Sequence, residues 1–152
     1  MLKGISPLIS PRLLETLCRM GHHDEIVFGD AHFPGESKSP NIIRADGLLI
    51  NDLVHAILPL FVLDHAVKHP VAMMEPVLED RNSKTLLSKY HEVYDDYTTT
   101  IHEHYPDTPP IEKMNKFDFY DRASKAFAVV MTGDIRVYAN LLLVKGVTTW
   151  KE

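Results

Sequence analysis

Residues 10–30 read SPRLLETLCRMGHHDEIVFGD, and a change of periodicity inside this stretch decides the fold class. Ser10 is a good helix N-cap, and Pro11 is tolerated at the first helical position, so a helix opens here. Leu13, Leu14, Leu17 and Cys18 recur at helical spacing, and Gly21 supplies a stop. Glu25-Ile26-Val27-Phe28-Gly29 is instead short, apolar and β-branched, which reads as a buried strand carrying Asp30 at its C-terminal end.

Working outward, the alternation continues. Pro34 to Pro40 reads as a polar loop, and Arg44-Ala45-Asp46-Gly47 as a turn. Leu53, Val54, Ile57 and Leu58 predict a second amphipathic helix that Pro59 ends or kinks. Val71 to Met74 is a second strand. From Ser83 to about His104, the residues Leu86, Leu87, Tyr90, Tyr94, Tyr97 and Ile101 mark one face of a long helix. The run Tyr105-Pro106-Asp107-Thr108-Pro109-Pro110 stops it. Ile111 to Asn115 is a third strand and Phe117 to Lys125 a short helix. Ala126 to Thr132 and Asn140 to Lys145 are strands, each followed by a glycine. Strands alternating with helices predict an α/β fold, a layered sandwich with a central sheet covered by helices. Strand order and direction are not fixed by these patterns.

The 152 residues fall in the range of one domain, and 1–152 is read as such. An apolar share of 45% with 24% charged residues is globular composition. A net charge of −5, with no dense run of Lys and Arg, disfavours nucleic-acid binding. No apolar run is long enough to cross a bilayer, and the start of the chain does not resemble a signal peptide. The single cysteine, Cys18, excludes an internal disulfide and suits a reducing compartment, so a cytoplasmic protein is expected.

The densest polar cluster is Gly21-His22-His23-Asp24 followed by Asp30-Ala31-His32, on either side of a short strand. Asp30 falls where α/β proteins build sites, beyond the carboxyl end of a strand. His22 follows a helix C-terminus, whose dipole favours the imidazolium form. A His and a carboxylate in one cleft form a general acid/base pair. A bland reading, in which His22 caps the helix and Asp30 satisfies a turn, has comparable weight on spacing alone. His22, Asp30 and His32 also mimic a two-His-one-carboxylate metal set. No HExxH or CxxC pair fixes such ligands on one element, however, and the two histidines flank opposite ends of the strand. No metal is expected. His65 with His69, and His102 with His104, are read as solvated pairs. No phosphate-binding loop, dinucleotide fingerprint or serine elbow is present. Lys116-Phe117-Asp118-Phe119-Tyr120 and Tyr138-Ala139-Asn140 are further clusters, each also explicable as core or turn.

Together these clusters resemble the ribose pyranase and L-fucose mutarotase family, and the fucose branch more closely. The resemblance rests on Ile5 to Pro11, MGHHDEIVFGDAHFP at 20–34, IRADG at 43–47, KFDFYDRASKAFAVVMTG at 116–133 and YANLLLVKGV at 138–147. The segment from about Glu79 to Pro110 matches poorly and is longer than in bacterial relatives. The resemblance implies a ribose pyranase-like fold, His22 as the catalytic residue, and Asp30, Lys116, Tyr138, Ala139 and Asn140 as substrate-binding residues. Tyr120 is a secondary candidate. Lys116 stands where the fucose branch often has Arg, giving a point charge in place of a planar fork. Ala139 stands where Gly is usual, and a YAN version occurs in the ribose branch. DAHFP, IRADG and FYDRA favour fucose.

The implied activity is interconversion of α and β anomers of a free monosaccharide, most of all L-fucose, by acid/base ring opening and closure without a cofactor. D-ribose pyranase-type conversion of pyranose to furanose is the alternative reading. A non-catalytic sugar-binding ring protein is a third, although mere binding needs no titrating His22. The resemblance also implies a homo-oligomeric ring, commonly a decamer, with pockets near subunit contacts.

Overall fold

The computed structural model describes residues 1–149; residues 150–152 of the expected 1–152 domain lie outside them. Six strands form one sheet: β1 Glu25–Gly29, β2 Ile42–Ala45, β3 Val71–Met74, β4 Glu112–Met114, β5 Ala128–Thr132 and β6 Leu141–Val144. The helices are α1 Pro11–Arg19, α2 Gly35–Lys38, α3 Ile50–Ile57, α4 Lys84–His104 and α5 Lys116–Lys125, with a 3₁₀ turn at Asp80–Asn82. The sheet order is β2-β5-β1-β6-β3-β4. Strand β6 runs antiparallel to both of its neighbours, and the other pairings are parallel. Five strands therefore end at one edge of the sheet, and β6 begins at that same edge.

Alternation within the strands divides the core. Ile26, Phe28, Val71, Met73, Ala128, Val130, Leu141 and Leu143 face α1, α3 and α4. Val27, Ala72, Met74, Val129, Met131, Leu142 and Val144 pack on the other side with Phe33 and, from α5, Phe119 and Ala123. Central strands covered on both faces read as unbroken apolar runs, which is why β3, β5 and β6 are so plain in the sequence. Each fully buried Leu, Ile, Val or Phe contributes roughly 1.5–3 kcal/mol, so these layers dominate stability.

Local capping follows the expected chemistry. The Ser10 hydroxyl accepts the Leu13 N–H at the start of α1, and Ser83 accepts the Leu86 N–H at the start of α4. Three expectations need correction. The loop at 34–40 contains the single helical turn α2, which has no side-chain cap. Ile42–Ala45 is an edge strand in register with Val129–Thr132, and only Asp46-Gly47 forms the turn, with Gly47 at φ +81°. On α1, Cys18 is exposed while Leu13 and Thr16 are buried. In α4 the buried face also includes Val93 and Thr100.

Candidate active site

The edge where five strands end and β6 begins carries a cleft of about 520 Å³. Asp30 follows β1, Met74 ends β3, Lys116 follows β4, and Tyr138 and Asn140 precede β6; all line it. Such crevices at the carboxyl ends of strands are where open α/β sheets place their sites. Tyr120 of α5 lines the cleft too while packing half-buried against the core, whereas Phe119 is fully buried and Phe117 is 75% exposed.

Gly29 makes the turn after β1 possible, because a Cβ there would lie 2.8 Å from Phe33, which folds back over the strand end. The buried Asp30 donates its N–H to Asn140 Oδ1 at 2.7 Å, and its own Oδ1 accepts the His32 N–H at 3.0 Å. Asn140 Nδ2 lies 3.7 Å from the thioether of Met74. A thioether is a weak acceptor, so this buried amide can turn to a better one such as a hydroxyl. Tyr138 donates its hydroxyl to Asp80 Oδ2 at 2.5 Å. Burial, and then this bond to Asp80, push the Tyr138 phenol up from its usual range. Lys116 Nζ lies 5.8 Å from the Tyr120 ring and 6.0 Å from that of Phe117. Tyr138 sits at φ +51°, a left-handed conformation rare for a bulky residue and often found at functional sites. Ala139 is buried with an ordinary backbone, so replacing Gly here costs no strain.

Burial pushes the Asp30 carboxyl up from the usual Asp value, and the His32 N–H and Asn140 only partly oppose this. A raised native value means a contribution to stability that is complete below the unfolded-state value of about 3.9 and is lost as pH rises through the native one. At neutral pH the buried charge is therefore a cost. Asp30→Asn keeps an acceptor for His32 and should raise the melting temperature at pH 7 by a few degrees. Thermal melts should show that gain shrinking as pH falls toward about 4 and absent below it.

His22 is at the opposite edge. The His23 N–H donates to the Lys145 carbonyl just past β6, while Asp30 binds Asn140 just before it. Five residues of extended chain separate these points, about 17 Å. Within one chain, then, His22 does not share the Asp30 cleft, and the set His22, Asp30 and His32 cannot hold one metal. The helix-end argument for His22 also needs correction. Lys145 Nζ already meets the last carbonyls of α1, donating to Leu17 O at 2.7 Å and Met20 O at 2.6 Å. The nearer anion is the buried Asp64, whose Oδ2 lies 3.3 Å from His22 Nε2 and 2.5 Å from His23 Nδ1. These three residues, and separately His55, Glu103 and His104, are the groups among the described residues whose donor atoms converge closely enough to hold a cation.

Sequence reasoning missed His32 as a cleft residue, together with Asp80 and Arg136. His32 stood in a quoted motif; Asp80 falls in the segment that matched poorly. Arg136 is committed elsewhere, to Asp134 on two nitrogens and to Asp96 on the third. Burial pushes the Asp134 carboxyl up, but Arg136 more than offsets this and holds it below the usual range.

A polar crevice at the carboxyl edge of a mostly parallel sheet, built from Asp, Asn, Lys and Tyr, defines a protein with a site suited to a small polyhydroxylated molecule. The chain belongs to the RbsD / FucU transport protein family, which it matches over residues 3–148. It is similar to the fucose mutarotase of Streptococcus pneumoniae solved in complex with L-fucose. That likeness is 39% identity and a TM-score of 0.86, covering 97% of this chain and 100% of that one. FucU from Bifidobacterium longum shares 37% identity, with a TM-score of 0.88 over 97% and 100% of the two chains. Bacillus subtilis RbsD complexed with D-ribose has the same fold at 22% identity, with a TM-score of 0.73 over 98% and 100%. Among the described residues no helix is long and apolar enough to cross a membrane.

Proposed function

We propose that the chain is a monosaccharide mutarotase, an isomerase exchanging the α and β anomers of free L-fucose. One observation carries this: the Asp30, Lys116, Tyr138 and Asn140 cleft stands at the strand edge of a fold 39% identical to a fucose mutarotase holding its sugar. Opening the ring breaks the bond between C1 and the ring oxygen. A proton goes to that oxygen while another leaves the anomeric hydroxyl, and C1 becomes a carbonyl. Rotation about C1–C2 and reclosure by the reverse proton transfers give the other anomer. A positioned acid and base supply about 10²–10⁴-fold, and holding a flexible sugar in a reactive geometry adds to it.

In this reading Asp30, Lys116 and Asn140 hold hydroxyls, and Ala139 sets the backbone between its neighbours. Tyr138 contacts a hydroxyl or relays a proton toward Asp80, with Tyr120 as a secondary contact. His22 is the acid/base. Because it stands at the opposite end of β1 from Asp30 in one chain, in this reading it serves the cleft of a second copy. The apolar Phe117 and Ile135, 75% and 76% exposed beside the cleft, suit such a contact. The assembly is a homo-oligomeric ring, a decamer in our reading, of one-domain subunits acting in the cytoplasm.

Saturation-transfer NMR tests the proposal directly. Exchange between the anomer resonances should be faster for L-fucose than for D-ribose at equal concentration, and unchanged after a strong chelator. Line broadening without exchange would leave a binding protein only. A clear ribose preference would move the chain to the other branch, and loss on chelation would bring in a metal.

A further inference from the structure

We propose that Asp64 is a positioning residue that fixes His22 with its Nε2 turned inward, so that Nδ1 is the nitrogen exchanging protons with the sugar. The inference rests on the mutarotase reading above and deepens it. Asp64 lies outside every stretch that suggested a site, yet it is 1% exposed and no mechanistic step uses it. Its Oδ1 accepts the Ala66 N–H at 2.9 Å. Its Oδ2 is fully buried and receives no hydrogen bond of good geometry from any described residue. A buried carboxylate oxygen without a donor is costly, and such an atom calls for an explanation.

The ring nitrogens of His22 and His23 stand against it, at 3.3 and 2.5 Å. A small turn of the imidazoles that points an N–H at Oδ2 satisfies it. Burial pushes the Asp64 carboxyl up, but the Ala66 N–H and the two histidines more than offset this and hold it below the usual range. It is therefore an anion facing two imidazoles. A proton on His22 Nε2 follows, and the other nitrogen, on a side chain 40% exposed, is left to work.

The surroundings hold this arrangement in place. Asp64 N–H donates to Val144 O, and His23 N–H to Lys145 O, so both are tied to the end of β6. Gly146 permits the close approach, since a Cβ there would stand 2.7 Å from the Leu63 carbonyl oxygen. His23 sits at φ +70° and stacks on His22, ring centroids 3.7 Å apart. A left-handed histidine is uncommon, and here it brings the second ring over the first.

Two measurements test it. Solid-state NMR of histidine-labelled protein, with His22 identified by the signals lost in His22→Ala, reads the neutral tautomer directly. Nε2–H is expected; Nδ1–H overturns the proposal. In Asp64→Asn, checked for assembly, the saturating exchange rate should fall tenfold or more while the half-saturating sugar concentration stays within about twofold. The His22 tautomer should become mixed. Exchange at the wild-type rate overturns the proposal, as does a loss through weaker binding alone. Should Asp64→Asn fail to assemble, the tautomer in the unaltered protein still decides. Wild-type protein that exchanges no anomer would overturn the mutarotase reading instead, a result separate from the tautomer.

Discussion

His22→Ala should leave fold and assembly intact and slow anomer exchange by about two orders of magnitude or more, as expected when a shuttling proton loses its carrier. The exposed position of His22 makes a folding defect small. The ranking of neighbours sharpens the test. His23→Ala should be much milder, and Lys116→Ala should chiefly raise the half-saturating concentration, since it removes a contact made in ground and transition states alike. Asp30→Asn should fall between. His32 lines the same cleft as Asp30. Near-normal exchange in His22→Ala, with exchange abolished in His32→Ala or His23→Ala, would show the acid/base to be misassigned even with the enzyme class right. Mixing also discriminates. His22→Ala and Asp30→Ala chains, each slow alone, should regain exchange when dissociated and reassembled together if a site draws on two copies.

The second large effect is on stability. Tyr97 is fully buried in α4, and its hydroxyl donates to the Ala139 carbonyl at 2.7 Å, with the Arg136 guanidinium 5.6 Å from its ring. Tyr97→Ala should destabilise by about 3–5 kcal/mol, as aromatic deletions in cores do. A thermal melt should drop by roughly 6–20 °C for a chain of this size. Tyr97→Phe keeps the packing but strands a buried carbonyl, at a cost of about 1–3 kcal/mol. Exchange should suffer in Tyr97→Phe as well, because Ala139 lies between Tyr138 and Asn140. A melt unchanged in Tyr97→Ala would deny α4 its part in holding that loop.

What the sequence disclosed depended on how local the signal was. The strands β1, β3, β5 and β6 are buried on both faces and announce themselves as apolar runs. The helix α4 carries a face that repeats over 21 residues. Strand β2 was missed because it is four residues at an edge, with Arg44 exposed. The turn α2 has neither length nor cap. The cleft residues Asp30, Lys116, Tyr138 and Asn140 were legible through motifs, whereas Ala139 between the last two is buried outside the cleft lining. Asp64 and Asp80 were not, since each is an acid outside any motif whose meaning comes from a partner more than forty residues away. Nor could the pattern reveal that β1 holds His22 and Asp30 apart; adjacency in sequence suggested one cleft.

That separation has an arithmetical outcome. In the shared-site proposal, a strand that carries one component at each end makes every subunit a donor to one site and a host to another. In assemblies of wild-type chains diluted with a His22→Ala/Asp30→Ala double variant, a site works only when both contributors are intact. Specific activity per site should then follow the square of the wild-type fraction, while dilution with His22→Ala alone should follow the fraction itself. A subunit defective at both ends silences two sites, and a mixed population fails faster than its average composition.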